Sequence, residues 1–240
     1  MSVAVAVTIA RRELSSYFCS PVAYVAMTLF LLATGALFWN DFQPGQPVGL
    51  RMVFDWMVWL LVFVVPVLCM GLLAQEWATG TFETLVTAPV GDAEVVVGKF
   101  LGAILFLVFM IVPTLLYVAM LVLYARVDLG PIFAGYLGML LVGALFCSVG
   151  LFCSSLTRSQ VVAAVAAAAV LFAITIVPWW VVSRTPLAGF WRTAADQGVF
   201  TRYADFSKGV IDLANVAFFV AATAAFLFFT VKVVESRRWK

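Results

Sequence analysis

Histidine is absent from the 240 residues. That excludes a histidine-ligated haem, histidine-containing zinc sites and imidazole acid–base catalysis, since no other side chain ordinarily changes charge near neutrality. Charge is scarce too. Asp, Glu, Lys and Arg make up 11% of the chain, where a soluble domain carries about 25%. Hydrophobic residues reach 65% and the mean hydropathy is +1.12. Such a chain has too little polar surface to face water on all sides, so the expected class is a polytopic membrane protein with the lipid bilayer as its surroundings. Net charge is +2, which leaves no basic footprint for nucleic acid. The four cysteines, Cys19, Cys69, Cys147 and Cys153, lie in or beside apolar runs, form no CxxC pair and read as small apolar filler. Secretory-signal character is missing as well: the first apolar run, Val3–Ala10, is short, and Arg11 and Arg12 follow it rather than precede it.

About 20 apolar residues cross the hydrocarbon layer. Six stretches meet that measure: 22–40, 54–74, 98–123, 131–156, 160–182 and 212–233. Before them, residues 3–18 fit an amphipathic helix. Val3, Val7, Ala10, Leu14, Tyr17 and Phe18 recur at helical spacing, while Thr8, Arg11, Arg12 and Ser15 fall on other faces. A helix of that kind lies in the membrane interface. The expected fold is therefore all-α: six transmembrane helices with an N-terminal amphipathic interfacial helix, in one transmembrane domain over 1–240. With the N-terminus in the cytoplasm, eight of the 14 Lys and Arg fall inside and six outside, and all six outside acids are Asp. Both termini are expected in the cytoplasm.

The spans carry no Asp, Glu, Lys or Arg in their central stretches. Ion-coupled transporters and proton pumps need an ionisable group near the midplane, so the energy for this protein's work must arrive from outside the bilayer. Pro66, Pro113 and Pro178 lie in or at the ends of spans and remove backbone donors; the resulting bends suit either a gate or simple packing. Gly98 and Gly102 form one GxxxG, and Ala163–Ala169 is almost all small. Both are helix-packing faces, within or between subunits. The segment 183–211, expected outside, mixes Phe190, Trp191, Phe200, Tyr203 and Phe206 with Arg192, Arg202, Asp205 and Lys208. This composition predicts short interfacial helices.

One polar interruption, Gln75–Lys99, is not explained by lipid, and 75–97 is expected as a cytoplasmic loop. Gly91 and Gly98-Lys99 resemble a phosphate-binding loop only superficially: six residues separate the glycines where four are needed, and Phe100 follows the lysine where Ser or Thr is required. Glu76 and Glu83 are seven apart with Gly80 between them and no reactive partner in reach, so no catalytic residue is expected. What remains is a docking element. Thr81–Val86 suits a short helix with Thr79 or Thr81 near its cap, Glu83 early in it and Pro89 ending it. Phe82, Leu85 and Val86 would then present an apolar face to a groove on a soluble partner.

The order Glu76, Gly80-Thr81, Glu83, Leu85, Pro89 and Gly98-Lys99 resembles the signature of ABC-2-type ABC transporter permeases, most closely the branch that includes the gliding-motility permease GldF. Similar too are Arg12-Glu13-Leu14, Tyr17-Phe18, Ser20-Pro21-Val22-Ala23-Tyr24, Ser154-Ser155-Leu156-Thr157 with Gln160, Gly209-Val210-Ile211-Asp212 and Glu235-Ser236-Arg237-Arg238. The family places basic residues just after the glutamate, where this chain has Trp77-Ala78. The resemblance implies two permease subunits, identical or homologous, in a bacterial cytoplasmic membrane. It also implies two copies of a separate cytoplasmic ABC ATPase, which would hold the ATP and Mg while this chain binds no cofactor or metal. Glu76, Gly80, Thr81, Phe82, Glu83, Leu85 and Pro89 would couple to that ATPase. Phe190, Trp191, Phe200, Tyr203 and Phe206 would belong to an outer gate between spans five and six.

Three functions fit these readings. The first is an ATP-driven exporter permease. The second is a mechanotransmitter that passes ATPase-driven motion to an extracytoplasmic auxiliary protein without transport. The third is a passive channel or scaffold, which has no need of a coupling signature.

Overall fold

The computed structural model describes residues 3–41, 50–80, 91–124, 128–184 and 198–238. Among them every regular element is a helix, the arrangement that satisfies backbone groups where lipid offers no hydrogen bonds. In chain order these are α1 (Val3–Cys19), α2 (Pro21–Asp41), α3 (Arg51–Cys69), α4 (Ala74–Thr79), α5 (Asp92–Ile111), a 3-10 turn (Val112–Thr114), α6 (Leu115–Tyr124), α7 (Leu129–Leu156), α8 (Gln160–Arg184), α9 (Val199–Ser207) and α10 (Leu213–Arg238). Among the described residues six stretches are long and apolar enough to cross a membrane: Pro21–Asn40, Arg51–Thr79, Asp92–Leu123, Leu129–Leu156, Gln160–Pro178 and Leu213–Arg237. The number is the one expected from hydropathy.

Two limits differ most from the sequence reading, by five and six residues. Helix continues past 74 to Thr79, and the third long stretch begins at Asp92 instead of 98, so the interruption narrows to 80–91. The causes are local. Gly80 takes φ 71°, the left-handed conformation that stops a helix and that side chains resist. At the other limit Glu94 Oε2 accepts from the Gly91 N–H at 3.3 Å, which caps a first turn too polar to register in hydropathy. Pro113 lies in the 3-10 turn that separates α5 from α6, where its missing N–H leaves the α-helical ladder interrupted.

The molecule is organised around α7, the most buried of the six long stretches. Its glycines let neighbours approach. A Cβ at Gly135 would lie 2.6 Å from the Phe54 ring, one at Gly150 2.6 Å from Cys69 Cβ, and one at Gly143 2.9 Å from Leu107. Because the contacts with Phe54 and Cys69 advance together, α3 runs parallel to α7. Leu107 on Gly143 and the 2.9 Å contact of Thr114 Oγ1 with Tyr136 Oη advance in opposite senses, so α5 runs antiparallel.

α1 runs parallel to α5. A Cβ at Gly98 would lie 2.8 Å from Ile9 Cβ and 2.9 Å from Ala6 O, and one at Gly102 would lie 2.7 Å from Glu13 Cβ. Further along, Tyr17 stacks on Phe106 at 4.8 Å and Phe18 meets Phe109 edge-on at 4.8 Å. The GxxxG pair is thus used within this chain, as the seat of α1. One end of the bundle gathers α4, the start of α5, the end of α7 and the end of α10. The other gathers the start of α3, the start of α7, and α9.

Candidate coupling site

Four charges meet at the α4 end. Lys99 Nζ, on α5, donates to Glu76 Oε1 of α4 at 2.8 Å and to Glu13 Oε1 of α1 at 2.9 Å. Arg12 Nη2 reaches the same two oxygens at 3.3 and 3.1 Å. Positive and negative groups alternate around the cluster, which sums to zero. The Lys99 side chain is 1% exposed, Glu13 and Glu76 are 13% and 15%, and Arg12 is 57%. An ammonium this buried is held only by partners that replace its water, and here two carboxylates from two other helices do so. Glu76 Oε2 is buried with no hydrogen-bond partner among the described residues. The cluster ties α1, α4 and α5 together.

A serine fixes the turn leading into α4. Ser154 Oγ, fully buried on α7, accepts from Leu73 N at 3.1 Å and Ala74 N at 3.0 Å and donates to Met70 O at 3.0 Å. That uses both lone pairs and the proton of the hydroxyl, and it satisfies three backbone groups of the turn, of which the Leu73 and Ala74 N–H groups are buried. Tyr17 Oη, on α1, donates to Leu68 O at 3.0 Å on the same side. Burial above all, with smaller contributions from Cys69, Cys147 and Glu13, pushes the Tyr17 phenol well above its ordinary value, so it remains a donor.

α10 reaches α4 from a third direction. Arg237 sits over the Trp77 ring, 5.1 Å from its centroid, and its Nη2 donates to Leu156 O at 2.5 Å. The acceptor is a terminal carbonyl of α7, where the helix dipole favours a cation. At its opposite end α10 is joined to α9. Arg202 Nη1 donates to Asn215 Oδ1 at 2.9 Å and the guanidinium lies 4.3 Å from the Phe218 centroid. Asn215 Nδ2 in turn donates to Asp205 Oδ2 at 3.1 Å. α9 packs on α7 through Tyr203 and Phe206, both fully buried, and Phe200 tilts against Trp59 at 5.6 Å. Burial, then Asp55 and Tyr136, raises the Tyr203 phenol well above its ordinary value.

Of the coupling residues named from the sequence, Glu76 lies in the charge cluster and Gly80 ends α4. Thr81, Phe82, Glu83, Leu85 and Pro89 lie outside the described residues. Of the outer aromatics, Phe200, Tyr203 and Phe206 share α9, and Phe190 and Trp191 lie outside the described residues. Sequence reasoning missed Lys99, Glu13 and Arg237 as partners of this site. The available signal was Lys99 itself, a cation entering an apolar run.

A family model described as "ABC-2 family transporter protein" matches residues 22–206. Comparison with curated proteins finds no match.

Proposed function

Because this chain belongs to the ABC-2 family of transporter proteins, we propose that it is the permease subunit through which a separate cytoplasmic ABC ATPase drives export. In this reading the α4 end faces the cytoplasm of a bacterial cell. Two ATPase copies serve two permease subunits, and the stretch 81–90 meets the ATPase. Glu83 contacts a basic or hydrogen-bonding group there, Phe82 or Leu85 fills a groove, and Thr81 and Pro89 bound the docking segment.

The observation that carries the reading is the anchoring of α4. This helix of six residues leads directly into the proposed docking stretch, yet it is held by Lys99 of α5, Arg12 of α1, Ser154 of α7 and Arg237 of α10. A connecting loop needs no such attachment. A push on 81–90 is passed through α4 to four membrane elements at once. From Arg237 to Asn215, α10 spans about 33 Å at 1.5 Å per residue, so displacement at Trp77 reaches α9 and its aromatic face.

The test is co-purification of the ATPase and its stimulated turnover for Glu83→Ala and Gly80→Val. Losing one partner of a buried charged contact costs about 2–5 kcal/mol, so Glu83→Ala is expected to weaken assembly at least about thirtyfold. Gly80→Val, at φ 71°, misdirects the stretch and acts similarly. Normal retention of the ATPase together with wild-type export in both variants would falsify the reading.

A further inference from the structure

A cavity of ≈ 150 Å³ opens between α1, the α3–α4 turn and the first turn of α8. Its polar wall is made by Glu13, Ser16, Ser20, Gln75 and Gln160, and its apolar wall includes Val22, Ala23, Val67 and Leu68. We propose that this cavity seats the headgroup of a zwitterionic, amine-bearing phospholipid whose acyl chains lie along α2.

Three observations converge. First, among the described residues the only charged lining residue is Glu13, and no Lys or Arg contributes to the wall. Lys99 and Arg12 balance Glu13, so the wall carries no net charge to attract an anionic headgroup, whereas an ammonium still meets a carboxylate oxygen. Lys99 and Arg12 both bond to Glu13 Oε1, which leaves Oε2 as an acceptor. The Gln75 and Gln160 carboxamides and the serine hydroxyls supply the N–H and O–H donors that a phosphate diester needs. Second, Val22 both lines the cavity and is exposed, and it begins a row with Val25, Leu29 and Leu32, all exposed. Spacings of three, four and three keep that row on one helix face, so an apolar track leads away from the polar cavity. Head and tail of an amphiphile are matched by adjoining surfaces. Third, Gly71 leaves the floor open. A Cβ there would lie 3.3 Å from Gln75 Oε1 and 4.0 Å from Gln160 Cδ, between the two carboxamides. Because Glu13 also belongs to the charge cluster, an occupied seat bears on the junction that positions α4.

The experiment is native mass spectrometry of the purified chain after exchange into micelles containing phosphatidylethanolamine, phosphatidylcholine or phosphatidylglycerol with the same acyl chains. A charge-assisted hydrogen bond distinguishes the primary ammonium from the trimethylated one, and it corresponds to about tenfold in retention. Phosphatidylethanolamine is expected to be retained about tenfold better than phosphatidylcholine, and phosphatidylglycerol less than phosphatidylethanolamine. Gly71→Val, which fills the floor without a backbone penalty because φ there is not positive, is expected to erase the preference. Gln160→Ala, at the half-buried start of α8, is expected to weaken it, and serves as the second variant should Gly71→Val disturb folding. Equal retention of the three lipids, a preference for phosphatidylglycerol, a cavity that holds water only, or a preference unchanged in both variants overturns the proposal.

Discussion

Lys99 stands at the start of an apolar run, where an ammonium without partners would be untenable, and its two bonds to Glu13 and Glu76 make the position possible. Removing the lysine strands two carboxylates with Arg12 alone to balance them. Breaking one partner of a buried pair costs about 3–5 kcal/mol, so Lys99→Met is expected to lower stability by roughly that amount. Adding Glu13→Gln and Glu76→Gln is expected to recover much of the loss, because the uncompensated charge disappears with the cation. Denaturant unfolding of the purified variants measures both. A Lys99→Met protein as stable as the wild type would show that the cluster is an incidental surface contact. None of this was legible from the residues alone. Glu13 and Glu76 lie 86 and 23 positions from Lys99, and no periodicity reports a contact made between elements. Ser154 was legible only as part of a signature; that one hydroxyl closes three backbone groups is a fact of three dimensions.

At the scale of elements the sequence was more forthcoming, because hydropathy and helix signals are local. The six apolar stretches, the turn at Gly80 and the aromatic helix before the last span all follow from composition and spacing. The partner of the Gly98/Gly102 face was open, since small residues say that something approaches and not what. It is α1, and the approach is close enough that Gly102→Val drives a side chain into Glu13 Cβ, 2.7 Å from where the first added carbon would sit. Release of α1 is the expected outcome. Hydrogen exchange over residues 3–19 should rise while α7 keeps its protection. Unchanged exchange in α1 would mean that Tyr17 and Phe18 alone suffice to hold it.

For the whole molecule the arrangement places α1 and the end of α10 beside α4, with α9 at the other end against the start of α10. If the α4 end faces the cytoplasm, a cysteine at Asp196 reacts with an impermeant thiol reagent applied from outside, and one at Asp92 does not. The measurement is made with Cys19, the exposed native thiol, replaced by Ser. The opposite labelling pattern would put 81–90 out of reach of a cytoplasmic ATPase and overturn both the orientation and the coupling proposed for this chain.

The parallel seat of α1 on α5 has a consequence for biogenesis. During translation α1 is synthesised roughly 90 residues before Gly98 and Gly102, and both acids of the cluster precede the lysine that joins Arg12 in neutralising them. For that interval α1 lacks the α5 face that later seats it. Its amphipathic face suits it to wait at the boundary between lipid and water, and insertion of the third span then recruits it. A pattern that reads as an interfacial helix therefore describes a stage in the protein's synthesis as well as its first element, and the arrival of Lys99 marks the moment at which the nascent chain can close.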